Sequence, residues 1–112
     1  MNNIYISGKV TGLDMEATER KFQEAEDIIV SLGYKCLNPI KLVKRMMIDS
    51  VVNIDDRKEI MRRLISEMVW DCDAIYMLND WQGSEGAVQE YEVARIMGMK
   101  VLHQCSKDLE KL

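Results

Sequence analysis

The sequence predicts an α/β domain in which a parallel sheet of four or five strands is covered by helices on both faces. Short, β-rich apolar runs alternate along the chain with longer stretches whose apolar residues recur at helical spacing. No tight hairpin signal joins two strand candidates, so the crossovers should be right-handed and the strands parallel. The strand order 2-1-3-4 follows if the winding reverses after the first strand, which gives the three-layer flavodoxin-like or Rossmann-like arrangement.

The first half of the chain carries two strand candidates with one long helix between them. Residues Asn3–Ser7 form the first β-rich run. The helix has an N-cap candidate in Asp14 and ends before Gly33, where a left-handed residue is favoured. Its apolar stripe comprises Phe22, Ala25, Ile29 and Leu32. The second strand, Tyr34–Asn38, is closed by Pro39, which cannot donate to a β-ladder.

The second half repeats the alternation. Asp56 and Glu59 have capping-box spacing, and the apolar stripe after them predicts a helix that ends near Asp71. The continuous apolar run Ala74–Leu78 is typical of a strand buried on both faces of a parallel sheet. The pattern closes with a helix over Ser84–Met97, which Gly98 ends, and a short strand over Met99–His103.

The stretch Ile40–Asp55 has no clean period. Its apolar residues, Met46, Met47, Ile48, Val51 and Val52, match neither strand nor helix spacing. A connection of that length is typically a lid or a contact surface, and we favour a subunit interface.

The composition excludes several classes of partner. The 112 residues suit one domain with one core, and 47% apolar and 30% charged residues are an ordinary globular balance. A net charge of -4 disfavours nucleic acid, which requires a basic face. No apolar stretch approaches the roughly 20 residues of a membrane span. The first residues are already strand-like, and we expect a cytoplasmic protein with no membrane partner.

Metal and disulfide chemistry are not predicted. Cys36, Cys72 and Cys105 lack C-x-x-C spacing and His103 is the single histidine, so we expect neither a metal site nor a cofactor. We interpret all three cysteines as reduced, buried hydrophobic residues. A catalytic pair of Cys105 and His103 is the alternative, although no third group nearby would orient it.

Glu90 is the anomalous residue of the sequence. Ligands of such folds bind at the carboxyl ends of the strands, beside the switch point between the first and third strands. The loops at that point are Ser7–Asp14 and Asn79–Ser84, and Glu90 follows the second of them. It shares a helical face with the apolar residues Ala87, Ala94 and Met97. A buried carboxylate needs a partner, a raised pKa or a ligand, and a salt bridge at the sheet edge would also explain it.

The end of the first strand supplies further candidates. Tyr5, Ser7 and Gly8 would bring a phenol, a hydroxyl and a bare backbone to the same crevice as Glu90. Lys9 adds a cation, but the segment is neither a P-loop nor G-x-G-x-x-G. A lone strand tyrosine is usually a core residue, so each of these signals is weak when taken singly.

The loop and first turn before Glu90 add five more candidates. Ser84 is a good N-cap, and Gly86 and Ala87 leave room for an anion beside the N–H groups of the first turn. Plain capping explains Ser84 as well. Asp80 and Trp81 lie in the loop, where the indole offers a surface for a base or simply anchors the loop.

Taken together, these residues resemble the nucleoside 2-deoxyribosyltransferase-like superfamily. The nearest likeness is to a small bacterial and phage branch of unknown function, near the 2′-deoxynucleoside 5′-monophosphate N-hydrolases. The motifs that carry it are Ile4–Gly8, Cys72–Leu78, Trp81, Ser84–Glu90 and Ala94. The likeness runs from Ile4 to about Val101. It implies one domain over residues 1–112, a nucleoside or nucleotide as small-molecule partner, and a homo-oligomer.

The resemblance also implies a chemistry. Glu90 corresponds to the nucleophile that attacks C1′ of the deoxyribose and forms a covalent deoxyribosyl-enzyme, as in a retaining glycosidase. Tyr5 matches the tyrosine beside that nucleophile. Ser84 stands where transferases carry an aspartate and nucleotide hydrolases a phosphate-binding serine, which favours a 5′-monophosphate. Lys9 and Thr11 replace the serine and arginine that grip phosphate in the hydrolases.

Ile65 is the main departure from that family. It stands where a catalytic aspartate is usual, and Glu67 and Asp71 lie on other faces of the helix. General acid–base help is commonly worth about 10² to 10⁴ in rate. Three interpretations stay open: an N-glycosidic enzyme, a non-catalytic nucleotide-binding or sensing domain, and an interaction module that uses Ile40–Asp55.

Overall fold

The computed structural model of the chain describes residues 2–10, 12–48 and 57–112. Four parallel strands form one sheet in the order β2-β1-β3-β4. The strands are β1 (Asn3–Ser7), β2 (Lys35–Leu37), β3 (Ala74–Met77) and β4 (Lys100–His103). The helices are α1 (Met15–Ser31), α2 (Pro39–Ile48), α3 (Arg57–Asp71) and α4 (Glu85–Ile96). The predicted three-layer, Rossmann-like α/β fold and its strand order are confirmed.

The two faces of the sheet bury different side chains, because successive residues of a strand point to opposite faces. Along β1, Ile4 and Ile6 pack in one core with Phe22 of α1. Tyr5 lies in the other core, with Met68 of α3 and Ala94 of α4. The helices α3 and α4 therefore cover the face to which Tyr5 and Ser7 project.

Local sequence signals set the ends of α1 as predicted. Asp14 is the N-cap, and its carboxylate accepts a hydrogen bond from the Ala17 N–H at 3.0 Å. Beyond the last turn, Gly33 has a φ of 92°, a conformation that only glycine adopts without strain.

Apart from its first residue, Pro39, the helix α2 lies within Ile40–Asp55, for which no regular element was predicted. Pro39 takes the first helical position, where its missing N–H is no loss and its fixed φ suits a helix. The Asn38 side chain accepts a hydrogen bond from the Ile40 N–H at 3.0 Å. Two ion pairs join α2 to α1: Lys41 with Glu26 and Lys44 with Glu19.

Part of the sequence prediction falls outside the described residues. This applies to Thr11, to residues 49–55 of the predicted lid or interface and to Asp56 of the predicted capping box. None of the described helices is long and apolar enough to cross a membrane.

The turn after β1 depends on a close approach between Gly8 and Leu78. Gly8 is buried, and a β-carbon added to it would lie 2.7 Å from Leu78 Cδ1 and 3.0 Å from Leu78 Cβ. Leu78 is fully buried directly after β3, so its side chain has no room to move away. Glycine at this position lets the loop after β1 lie against the end of β3.

We expect Gly8→Ala to lower the free energy of unfolding by about 1–3 kcal/mol, because the added methyl overpacks a filled core. Leu78→Ala alone should cost about 2–5 kcal/mol through the cavity that it leaves. Since the two changes act on one contact, the double variant should lose less stability than the sum of the two single variants.

Urea unfolding of the four proteins measures this coupling. Gly83→Ala is the matched control, because its β-carbon would lie 3.8 Å from the Lys9 side chain in ordinary contact. If the losses in the free energy of unfolding from Gly8→Ala and Leu78→Ala simply added, the two positions would not act on one contact.

Candidate active site

A buried carboxyl with two hydroxyl partners forms the centre of the site. Glu90, in α4, lies against the carboxyl end of β1. Ser7 Oγ donates a hydrogen bond to Glu90 Oε1 at 2.8 Å, and the Tyr5 hydroxyl donates one to Glu90 Oε2. The exposed fractions of Tyr5, Ser7 and Glu90 are 0%, 1% and 5%. The three side chains thus form a closed cluster beside the predicted switch point.

The protonation of this cluster is set by burial. Removal from water raises the pKa of Glu90 to about 7, although the hydrogen bonds from Tyr5 and Ser7 act in the opposite direction. Burial, followed by the charge and hydrogen bond of Glu90, raises the pKa of Tyr5 well above its usual value. Tyr5 therefore remains a neutral donor, while Glu90 changes its charge near neutral pH.

Strand and helix periodicity together bring these groups into contact. Tyr5 and Ser7 are two residues apart, so they project from the same side of β1. Ala87 and Ala94 flank Glu90 on α4 and are buried, so α4 approaches the sheet closely along that line. The spacing of Tyr5 and Ser7 and the small apolar residues around Glu90 were both predictable from the sequence.

Two details of the predicted Glu90 face are wrong. Met97 does not belong to it: the residue is the C-cap of α4, and its side chain is 55% exposed. The described residues also do not form the salt bridge that was the alternative explanation for Glu90. In the described part of the chain the hydrogen-bond donors to Glu90 are the two hydroxyls, and no ion pair includes it.

Asp80 and Lys9 connect the two loops that flank the cluster. The Lys9 N–H donates to Asp80 Oδ1 at 3.0 Å, and Lys21 Nζ bonds both the Lys9 carbonyl and Asp80 Oδ2. Burial raises the pKa of Asp80, but the hydrogen bonds from Lys21 and the Lys9 N–H outweigh it and hold that pKa below its usual range. Both oxygens of Asp80, expected to contact substrate, already have protein donors.

The predicted anion-binding turn is partly occupied by its own cap. Ser84 is the N-cap of α4, and its Oγ accepts a hydrogen bond from the Ala87 N–H at 3.2 Å. At Gly86 an added β-carbon would lie 3.3 Å from Met61 Sδ, so α3 packs against this turn. The Lys9 side chain lies beside Gly83, immediately before the turn.

Trp81 belongs to an aromatic group on the other side of the same loop. Its ring centroid lies 4.8 Å from that of Tyr91 and 6.1 Å from that of His103. It begins the 3₁₀ turn Trp81–Gly83, and its side chain is half-buried.

Sequence reasoning missed the partners of the predicted loop residues. Lys21 lies on α1, and Tyr91 and His103 come from α4 and β4, so each meets the loop only through long-range packing. A lysine on an amphipathic helix carries no local signal of such a role. No local spacing links Trp81 with Tyr91 or His103, because the three rings come from the 3₁₀ turn, α4 and β4.

The cysteine prediction needs correction. All three cysteines are free, but only Cys72 is buried; Cys36 is half-buried and Cys105 is exposed. Cys105 lies two residues beyond the end of β4.

The fold and the cluster define a three-layer α/β domain with a buried carboxyl at the carboxyl edge of its sheet. The chain belongs to the family described as a domain of unknown function (DUF4406), whose model matches residues 2–103. A comparison with curated proteins finds no match.

The raised pKa of Glu90 predicts a pH-dependent stability. The folded state holds the proton up to about pH 7, whereas the unfolded chain releases it near the ordinary pKa of 4.5. The free energy of unfolding should therefore fall as the pH rises from 4.5 to 7, by about 3 kcal/mol, and then level off.

Glu90→Gln cannot ionise, so its stability should lack this fall and exceed that of the wild type at pH 8. Urea midpoints between pH 4 and pH 8 test the difference, with Glu92→Gln, exposed on the same helix, as the matched control. If the urea midpoints of the wild type and Glu90→Gln changed in parallel with pH, ionisation of Glu90 would carry no cost in stability, and the prediction would be wrong.

Proposed function

We propose that the domain is a nucleoside 2-deoxyribosyltransferase-like enzyme that acts on a 2′-deoxynucleoside or its 5′-monophosphate. It would cleave or transfer the N-glycosidic bond through a covalent ester on Glu90. The observation that carries the proposal is the buried cluster of Tyr5, Ser7 and Glu90 at the carboxyl end of β1. The sequence resemblance supports the choice of substrate class.

The chemistry requires the ionised form of Glu90. One carboxylate oxygen attacks C1′, the bond from C1′ to the base nitrogen breaks, and the base leaves with the electron pair and takes a proton from water. Water then attacks C1′, the ester bond breaks, and Glu90 is regenerated while a proton passes to solvent. In the transfer reaction the nitrogen of a second base replaces the water.

The two hydroxyls fix the nucleophile. Each Glu90 oxygen accepts one hydrogen bond from Ser7 or Tyr5 and keeps a second lone pair for the sugar carbon. These bonds also stabilise the ionised carboxylate against the penalty of burial. Tyr5 and Ser7 thus orient the reacting group and supply part of its charge stabilisation.

A phosphate of the substrate would lie at the start of α4. The first-turn N–H groups carry the positive end of the helix dipole, and Lys9 lies beside Gly83 next to them. The Ser84 hydroxyl holds the Ala87 N–H, so it would support this turn as a cap. This arrangement supports a 5′-monophosphate in preference to a free nucleoside.

Ile65 keeps a second function open. It is half-buried on α3 and cannot protonate a leaving base, so turnover should be slow by the factor that a general acid usually provides, about 10² to 10⁴. A non-catalytic nucleotide-binding domain would use the same crevice without needing that acid. Absence of turnover by the wild-type protein, with binding retained, would select it.

Incubation with deoxynucleoside 5′-monophosphates should leave a mass increase of one deoxyribose phosphate on the peptide that contains Glu90. Mass spectrometry of the quenched protein measures it. Glu90→Gln should show neither the adduct nor base release, whereas the control Glu92→Gln should retain both. An adduct on another residue, or base release by Glu90→Gln, would refute the covalent role of Glu90.

The single-turnover rate should rise with pH around a midpoint near 7, because only ionised Glu90 attacks. Tyr5→Phe removes a hydrogen bond that lowers the pKa of Glu90, so the midpoint should move upward and the plateau rate should fall. Ser7→Ala should shift the midpoint in the same direction. A midpoint that neither variant moves would show that another group controls the rate.

A further inference from the structure

An open depression lies at the carboxyl edge of β3 and β4. Its volume is about 620 Å³, within the roughly 300–1,000 Å³ of small-molecule sites. The residues that line it are Asn79, Trp81, Gln82, His103, Cys105 and Ser106. It lies outside the cluster of Tyr5, Ser7 and Glu90, but Trp81 and Tyr91 link it to α4.

Aromatic side chains make one side of the depression firm. Trp81 packs against Tyr91 at 4.8 Å between ring centroids, and His103 lies 6.1 Å from Trp81. Two rings line the depression: Trp81 follows β3, and His103 is the last residue of β4. Their planes are tilted by 45° to each other. Because Tyr91 supports the indole, a ligand would meet a surface that is already ordered, which lowers the entropic cost of stacking.

The polar groups of the depression have hydrogen-bonding capacity to spare. Among the described residues, the side chains of Asn79, Gln82 and His103 have no hydrogen-bond partner in the protein. The Ser106 hydroxyl approaches Cys105 Sγ alone, at 3.9 Å. The backbone of the depression is nevertheless held in place, because the Asn79 N–H donates to the Gln104 side chain at 2.9 Å.

Among the described residues, the lining contains no aspartate, glutamate, lysine or arginine. A phosphate or a carboxylate would therefore find no opposite charge there. Amides, a hydroxyl and an imidazole instead match a neutral group that both donates and accepts hydrogen bonds, and the indole matches a flat ring.

We infer that this depression binds a neutral heteroaromatic ring, a purine or pyrimidine base, by stacking on Trp81 and by hydrogen bonds from Gln82 and Asn79. The choice of a nucleobase rests on the proposed function, but the binding itself requires no glycosidic chemistry.

The fluorescence of Trp81 can report binding at the depression. The chain has two tryptophans, and Trp70 is 84% exposed on α3, so Trp70→Phe leaves Trp81 as the single indole without disturbing the core. Titration of this variant with adenine, hypoxanthine, cytosine or thymine should quench its fluorescence saturably. Phenol, a flat ring without the paired hydrogen-bonding edge of a base, should bind about tenfold more weakly.

Calorimetry on further variants assigns the contacts. Trp81→Ala should weaken base binding about tenfold, since stacking on one aromatic ring contributes on that order. Trp81 also packs in the core, so Gln82→Ala and Asn79→Ala, both at exposed positions, give a second test that does not depend on folding. Each should weaken binding or change the preferred base, whereas Trp70→Ala should leave affinity unchanged.

The outcomes separate this inference from the proposed enzyme. Saturable binding of free bases that depends on Trp81 and Gln82 supports the depression even if Glu90 never forms an ester. A Glu90 ester without saturable base binding would overturn the depression and leave the enzyme intact. Equal binding of phenol and the bases would also overturn it, because the polar lining would then contribute nothing.

Discussion

The burial of one carboxyl, Glu90, constrains the rest of this structure. A glutamate that is 5% exposed must be neutral, paired with a cation or hydrogen-bonded, and here two hydroxyls from β1 provide the bonds. They do not fully compensate for the loss of water, because the pKa of Glu90 remains raised to about 7. An apolar side chain would avoid that penalty, so a stability argument alone does not explain why an acid occupies this position.

The parallel sheet explains why the cluster forms at this point. The order β2-β1-β3-β4 places the winding reversal at β1 and β3, so the loops after both strands leave the same edge in different directions. Lys21 and Asp80 then tie these loops together, and Gly8 allows the first loop to lie against Leu78. These contacts hold the loops after β1 and β3 in place, and α4 carries the Glu90 carboxyl to the end of β1.

Much of this architecture was predictable because it depends on local patterns. The four strands, α1 and α4 follow from residue periodicity and caps, and Glu90 stood out as a charge on an apolar face. The helix α2 was not predicted, although Ile40, Val43 and Met47 recur in it at helical spacing. The pattern was taken over all of Ile40–Asp55, and Pro39, the first residue of the helix, was interpreted as the end of β2. The aromatic contacts of Trp81 join residues from separate elements, so no local pattern could predict them.

The most informative property of the cluster is the absence of a cation beside Glu90 among the described residues. Its ionised form is stabilised by two neutral hydroxyls and is therefore under-compensated in the unliganded domain. A glycosidic transition state places positive charge on the sugar at the atom that the carboxylate approaches. The positive charge that balances Glu90 would thus develop on the sugar during the reaction. The attraction between carboxylate and sugar would be stronger in the transition state than in the ground state, which is the condition for catalysis.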